Sequence, residues 1–212
     1  MPGIGALFGA WGPTLKTLAN ARSDLANAKR VALRQEAEFF RKKIVEGLRE
    51  QSPGGRAFKP LSETTIAMRR ALGFKGTKAL IKRGDLRNSI TVQEAGDMVF
   101  VGVARQAKNS AGEAVIDIAK LNENGSKPIV IKVTPRMLRL LAMAFRKHGG
   151  TNRMGPHRTS TGIIIVRIPA RPFLAPVFDK YGQAEEASRR FAGRMQKLMK
   201  GKGLWAAAKD LA

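Results

Sequence analysis

Few side chains in this sequence could do covalent chemistry. Two histidines, His148 and His157, stand in or beside a basic, Gly-rich stretch, and neither has a carboxylate near it in sequence. Cysteine is absent, which removes disulfides and thiolate metal sites and fits an intracellular origin. A metal ion needs several donors brought together, so the histidines read as surface or phosphate-facing groups. Glu36/Glu38 and Glu185/Glu186 fall on helical patterns among Lys and Arg, where ion pairing accounts for them. The N-terminal GIGALFG has the glycines of a phosphate loop, but it lacks the preceding strand and the Gly-Lys-Ser/Thr ending. It reads as a flexible apolar arm. Arg83-Gly84-Asp85 spells an adhesion tripeptide, yet a helix stop at Gly84 explains it. No catalytic, cofactor-binding or metal residue is assigned, and no enzyme is expected.

Cations dominate instead. The chain carries 39 Lys and Arg against 16 Asp and Glu, a formal charge of +23, which predicts attraction to polyanions. Between Glu123 and Asp179 lie 55 residues with ten Lys or Arg and no carboxylate. Arg136, Arg139, Arg146, Lys147, Arg153, Arg158 and Arg171 are the candidates there to face a partner. One reading has them grip phosphates. The only aromatics in the tract are Phe145, Phe173 and Phe178, each expected in a core, so that contact would follow the backbone and ignore sequence. The other reading has them meet acidic protein surfaces, where arginine forks suit carboxylates. Composition leaves both open.

The elements that must position these residues are legible. The 212 residues suffice for one domain with its own core. No window approaches the roughly 18 uninterrupted apolar residues of a membrane span, so a soluble protein is expected. Residues 1–13 read as an apolar arm and 201–212 as a tail, with a single domain at 14–200. Residues 14–50 predict one long helix, with a break near its middle as the alternative. Its seam is Leu18, Ala21, Leu25, Ala28, Ala32 and Phe39. A short helix covers about 62–72 with Ser62 as N-cap, and residues 77–83 give another turn or two. Strands fall near 88–94, 98–104, 128–133 and 162–168, the first two alternating and joined by the turn EAGD as a β-hairpin candidate, the last apolar enough to be central in a sheet. AVIDIAKLNENG predicts a short helix. Thr134-Pro135 starts another, expected to be buried on most sides with an arginine ridge outward.

The segment IPARPFLAPVFDK then forms a joint. Pro169 and Pro172 keep the preceding residues extended, Phe173 and Leu174 anchor the corner, and Pro176 launches the last helix at its N1 position. That helix turns Phe178, Tyr181, Phe191, Met195 and Leu198 to one side.

In order, PLSETTIAMRR, LIKRGDLRNSITV, VFVGVA, IAKLNENGS, IVIKVTPRMLRLL and IPARPFLAPVFDK resemble the tail-completion, or virion morphogenesis, proteins of tailed phages, over about residues 58–200. IPARPFL and the VTPRM helix start are the most specific pieces, and the Ala-rich N-terminal helix looks like an elaboration. The resemblance implies an α+β fold: a small antiparallel sheet of about four strands packed against a long N-terminal helix and a C-terminal helix. It also implies a structural protein of the virion neck or tail, assembled in the bacterial host cytoplasm, that forms a homo-oligomeric ring and joins the DNA-filled head to the tail. Its implied partners are connector or head-closure proteins and tail terminator or tail tube proteins, with nonspecific contact to packaged DNA, no membrane and no cofactor. Phe8, Trp11, Leu204 and Trp205 on the Gly-flanked ends become candidate inter-subunit anchors; simple disorder of those ends is the other reading. The alternative function is a sequence-nonspecific nucleic-acid-binding protein that uses the basic tract 127–171.

Overall fold

The computed structural model describes residues 11–148 and 162–200. Helix α1, Trp11–Glu50, is one unbroken helix. It is already formed before the expected start at Thr14, because Pro13 falls in a first turn, where a missing N–H costs nothing. The described chain divides into two compact units, one holding residues 11–39, 92–100 and 182–200, the other 40–91, 101–148 and 162–181.

In the first unit α1 buries a thin seam of Ala28, Ala32 and Ala37, while Leu25, expected in that seam, is exposed. The last helix, α7 (Ala184–Lys200), has no buried residue. Its expected apolar side is therefore only partly covered, and charge fastens it. Arg190 Nη2 and Arg194 Nη2 reach Glu36 at 2.7 and 3.1 Å, and the Arg190 guanidinium sits 4.6 Å from the centre of the Phe39 ring. Glu36 is mostly covered, so the pairing is stronger than an exposed one.

In the second unit Phe40, Ile44 and Leu48 of α1 are buried, and Phe40 stacks on Phe178 with ring centres 5.0 Å apart. Helix α2, Glu63–Ala71, is capped by Ser62, whose hydroxyl accepts from the Thr65 amide. Residues 77–83 form bends and turns, not the expected helix. Gly84, expected to stop a helix, starts one: with φ 93° it caps the short α3, Asp85–Asn88. Helix α4, Val115–Asn124, ends at Gly125 with φ 77°.

The four expected strands are present: β1 (Ile90–Ala95), β2 (Met98–Val103), β3 (Ile129–Lys132) and β4 (Ile163–Val166). They do not form one sheet. β1 pairs with β2 as a hairpin and β3 pairs separately with β4, antiparallel, with Val130 opposite Ile165. β4 is thus an outer strand, not a central one. Between these two strands the chain forms helix α5, Pro135–His148, started as expected by Thr134, whose Oγ1 accepts from the Met137 amide.

The Pro-rich joint closes this unit. Its last helix is two helices, α6 (Ala175–Tyr181) and α7, parted at Gly182-Gln183, so Pro176 stands second in α6 and not at N1 of one long helix. The Glu123 carboxylate, at the end of α4, accepts the amide N–H groups of Phe173, Leu174 and Ala175 at 2.9, 3.2 and 2.9 Å. Three consecutive donors at the start of α6, left without helical partners, are satisfied by one side chain. Phe173 and Val177 are fully buried and Pro176 nearly so. Gly54 lies against this corner: a Cβ there would stand 2.1 Å from the Pro176 carbonyl oxygen. Replacing Glu123 by Ala strands three amides. The chain is expected to lose about 2–3 kcal/mol of unfolding free energy, read from urea melts followed by far-UV circular dichroism; an unchanged midpoint would show that water caps α6 equally well.

Candidate interaction surface

α5 is covered along one stripe, Met137, Leu140, Leu141 and Ala144, and is in contact with α2. Those positions follow the three-to-four spacing of a single helix face, so the expectation that α5 is buried on most sides does not hold. Its outer side carries Arg136, Arg139 and Arg146 in solvent, as expected of a cationic ridge. The same side also exposes Leu138 at 56% and Met143 at 52%. Arg139, Ala142, Met143 and Arg146 line a shallow depression. None of the three arginines makes an ion pair with a described residue.

Arg171 is a correction. It is 8% exposed, and its guanidinium turns inward, with Nε donating to the Lys59 carbonyl at 3.1 Å and Nη2 to the Pro60 carbonyl at 3.3 Å. Its own amide donates to the Asn122 carbonyl at 2.7 Å. The prolines on either side hold the backbone extended, so the side chain bridges across to the loop before α2. Arg171 is an internal tie. Pro169 is exposed, while Pro172 and Leu174 are half-buried. Arg153, Arg158, His157, Phe8, Leu204 and Trp205 lie outside the described residues, as do the side chains of Trp11, Phe145, Lys147 and His148.

A second surface escaped the sequence reading. Val130 and Ile165 face each other across the β3–β4 pair, so their side chains leave the same face, and they are 62% and 68% exposed. Ile163 and Lys132, the next pair on that face, are exposed too. On β2, Met98 and Phe100, two apart and so on one face, are 61% and 55% exposed. The run GIIIVRI carried the signal of a strand covered on both faces, but in a lone chain one face is exposed and Ile131, Ile164 and Val166 on the other are half-buried.

Among the described residues no group of three His, Asp or Glu is placed to hold a metal ion, and no helix is long and apolar enough to cross a membrane. Replacing Arg136, Arg139 and Arg146 together by Ala should leave the melting midpoint nearly unchanged, since exposed substitutions cost within about 0.5 kcal/mol each. If they grip phosphates, the log–log salt slope of duplex DNA binding should fall by up to about 3; an unchanged slope assigns them to protein.

No curated protein and no solved structure matches the chain. A family model does match residues 12–109. That span takes in α1, α2, α3 and the β1–β2 hairpin, so the Ala-rich helix belongs to the matched pattern and is not an added elaboration. VTPRM and IPARPFL, the pieces on which the resemblance leaned most, lie beyond it. With its long first helix, small antiparallel sheets and C-terminal helices, the chain is similar, over residues 12–109, to the phage virion morphogenesis family.

Proposed function

We propose that this protein is a non-enzymatic building block of the tailed-phage virion, one that forms a homo-oligomeric ring at the neck and joins the DNA-filled head to the tail. The observation that carries the reading is the outer face of β3–β4. An isolated two-stranded sheet is marginal in water, and contiguous exposed apolar surface marks an interaction site. Val130 and Ile165, more than half exposed on a strand pair whose sequence reads as core, are what a subunit contact would cover. The hairpin residues Met98 and Phe100 supply further apolar surface of the same kind.

The α5 ridge favours a protein partner over DNA. Its arginines are interleaved with exposed Leu138 and Met143, and arginine with methionine is the composition of protein interfaces, whereas a phosphate-gripping face has no use for apolar side chains. Acidic patches on a connector, head-closure, tail terminator or tail tube protein would complement it. Nonspecific contact with packaged DNA is the secondary reading.

Replacing Ile165 by Asp places a charge in the middle of the proposed contact while leaving the chain's own core alone. At micromolar concentration the unaltered protein should sediment as a ring-sized oligomer and the variant as a monomer, with the same far-UV circular dichroism. A monomeric parent protein, or a variant that assembles as well as the parent, would sink the proposal.

A further inference from the structure

A cavity of about 250 Å³ lies in the second unit, and its lining includes Arg69, Lys82, Arg83 and Arg171 with a single carboxylate, Asp85. None of these five side chains makes an ion pair with a described residue. Arg171 is more than nine-tenths buried; its Nε and Nη2 are spent on carbonyls, and its Nη1 donates to no described residue. Arg69 gives only Nη1 to the backbone, at 2.7 Å from the Lys78 carbonyl, which leaves Nε and Nη2 uncommitted. Burial and the nearby Arg171 charge both hold Arg69 below the usual arginine value, a sign that the two guanidiniums repel one another. Arginine does not shed its proton to relieve such repulsion. An anion has to.

The shape narrows which anion. Leu61, Leu80, Leu86, Val115 and Ile118 give the rest of the wall a largely aliphatic character, interrupted by Asn109 and Asn122. Leu80 has a left-handed backbone, φ 60°, unusual for a leucine and a form of strain found at binding sites. Gln51 holds that bend by gripping Ala79: its Oε1 accepts the Ala79 amide at 2.5 Å and its Nε2 donates to the Ala79 carbonyl at 3.1 Å. A half-enclosed hole with an aliphatic wall and guanidiniums inside suits a carboxylate on a short aliphatic stem. The phosphates of a duplex sit on a broad rod and need an open cationic groove.

We propose that this cavity is a socket for an acidic side chain of a partner polypeptide, with Arg69 and the free Nη1 of Arg171 as the carboxylate-binding groups and Lys82 and Arg83 at the mouth. The socket uses none of the residues of the β3–β4 face, so either can fail without the other.

The test titrates the full-length chain, labelled with nitrogen-15, with a tetraglutamate peptide while following the arginine Nε–H resonances, with inorganic phosphate and a short DNA duplex as parallel arms. Tetraglutamate should shift the Arg171 and Arg69 signals and saturate. Arg69→Met should weaken that binding about tenfold or more, the size of a lost charge-assisted hydrogen bond, and Lys82→Ala should weaken it less. The surface variant lacking Arg136, Arg139 and Arg146 should bind the peptide at the socket unchanged. If Arg69→Met unfolds the chain, the Arg171 signal in the unaltered protein decides alone: its failure to move with tetraglutamate overturns the socket. Equal binding by the parent and a folded Arg69→Met would do the same. Phosphate or duplex that moves the two arginine signals at lower concentration than tetraglutamate overturns the assignment to an acidic polypeptide.

Discussion

The second unit depends on how one carboxylate and one guanidinium hold a proline-rich corner. Prolines between residues 169 and 176 remove backbone donors and forbid an early helix, so the chain leaves β4 extended and must be fixed by something outside itself. Glu123 supplies the fixing from the end of α4 by accepting three successive amides. Arg171 supplies the counterpart, reaching the carbonyls of Lys59 and Pro60. With both ties made, Phe173, Pro176 and Val177 enter the core, and Gly54 fits beneath a carbonyl that no larger residue would clear. Buried polar ties of this kind leave little choice of alternative packing.

The same economy governs charge throughout the chain. With so few acids among so many bases, each well-placed carboxylate serves several partners. Glu36 takes two arginines and Glu46 two lysines; the Lys43 hydrogen bond holds Glu46 below the usual carboxylate value and is held up in turn. Among the cations that the described chain does not neutralise are those of the α5 ridge and the arginine-lined cavity. Net charge of this size keeps a subunit soluble and apart from its copies until an apolar face or an acidic partner offsets the repulsion.

Much of the fold was legible because it rests on local rules. Thr134-Pro135, Ser62 and Gly125 begin or end helices by chemistry contained in a few residues, and apolar alternation or a short apolar run marked every strand. What was not legible depended on residues far apart. Nothing near Glu123 announces that its carboxylate will cap a helix 50 residues onward. Arg171 reads as one more surface cation until the carbonyls of Lys59 and Pro60 are brought to it. Gly84 shows the ambiguity of glycine, since a left-handed residue can close one helix or open the next. The β1–β2 hairpin was legible from its turn, but the pairing of β3 with β4 apart from it was not, because that pairing is set by tertiary contact; four strands became two ribbons, and GIIIVRI kept an apolar face without a cover in its own chain. The α5 arginines were correctly placed outward, while the exposed leucine and methionine among them needed the structure.

The central claim is that this chain builds the junction between head and tail. Cryo-electron microscopy of the purified virion tests it most directly. The proposal predicts a closed ring of this protein at the neck, with the β3–β4 ribbon of each copy covered by a neighbour. A virion that lacks the protein, or that carries it with the Val130–Ile165 face open to solvent, would contradict the account.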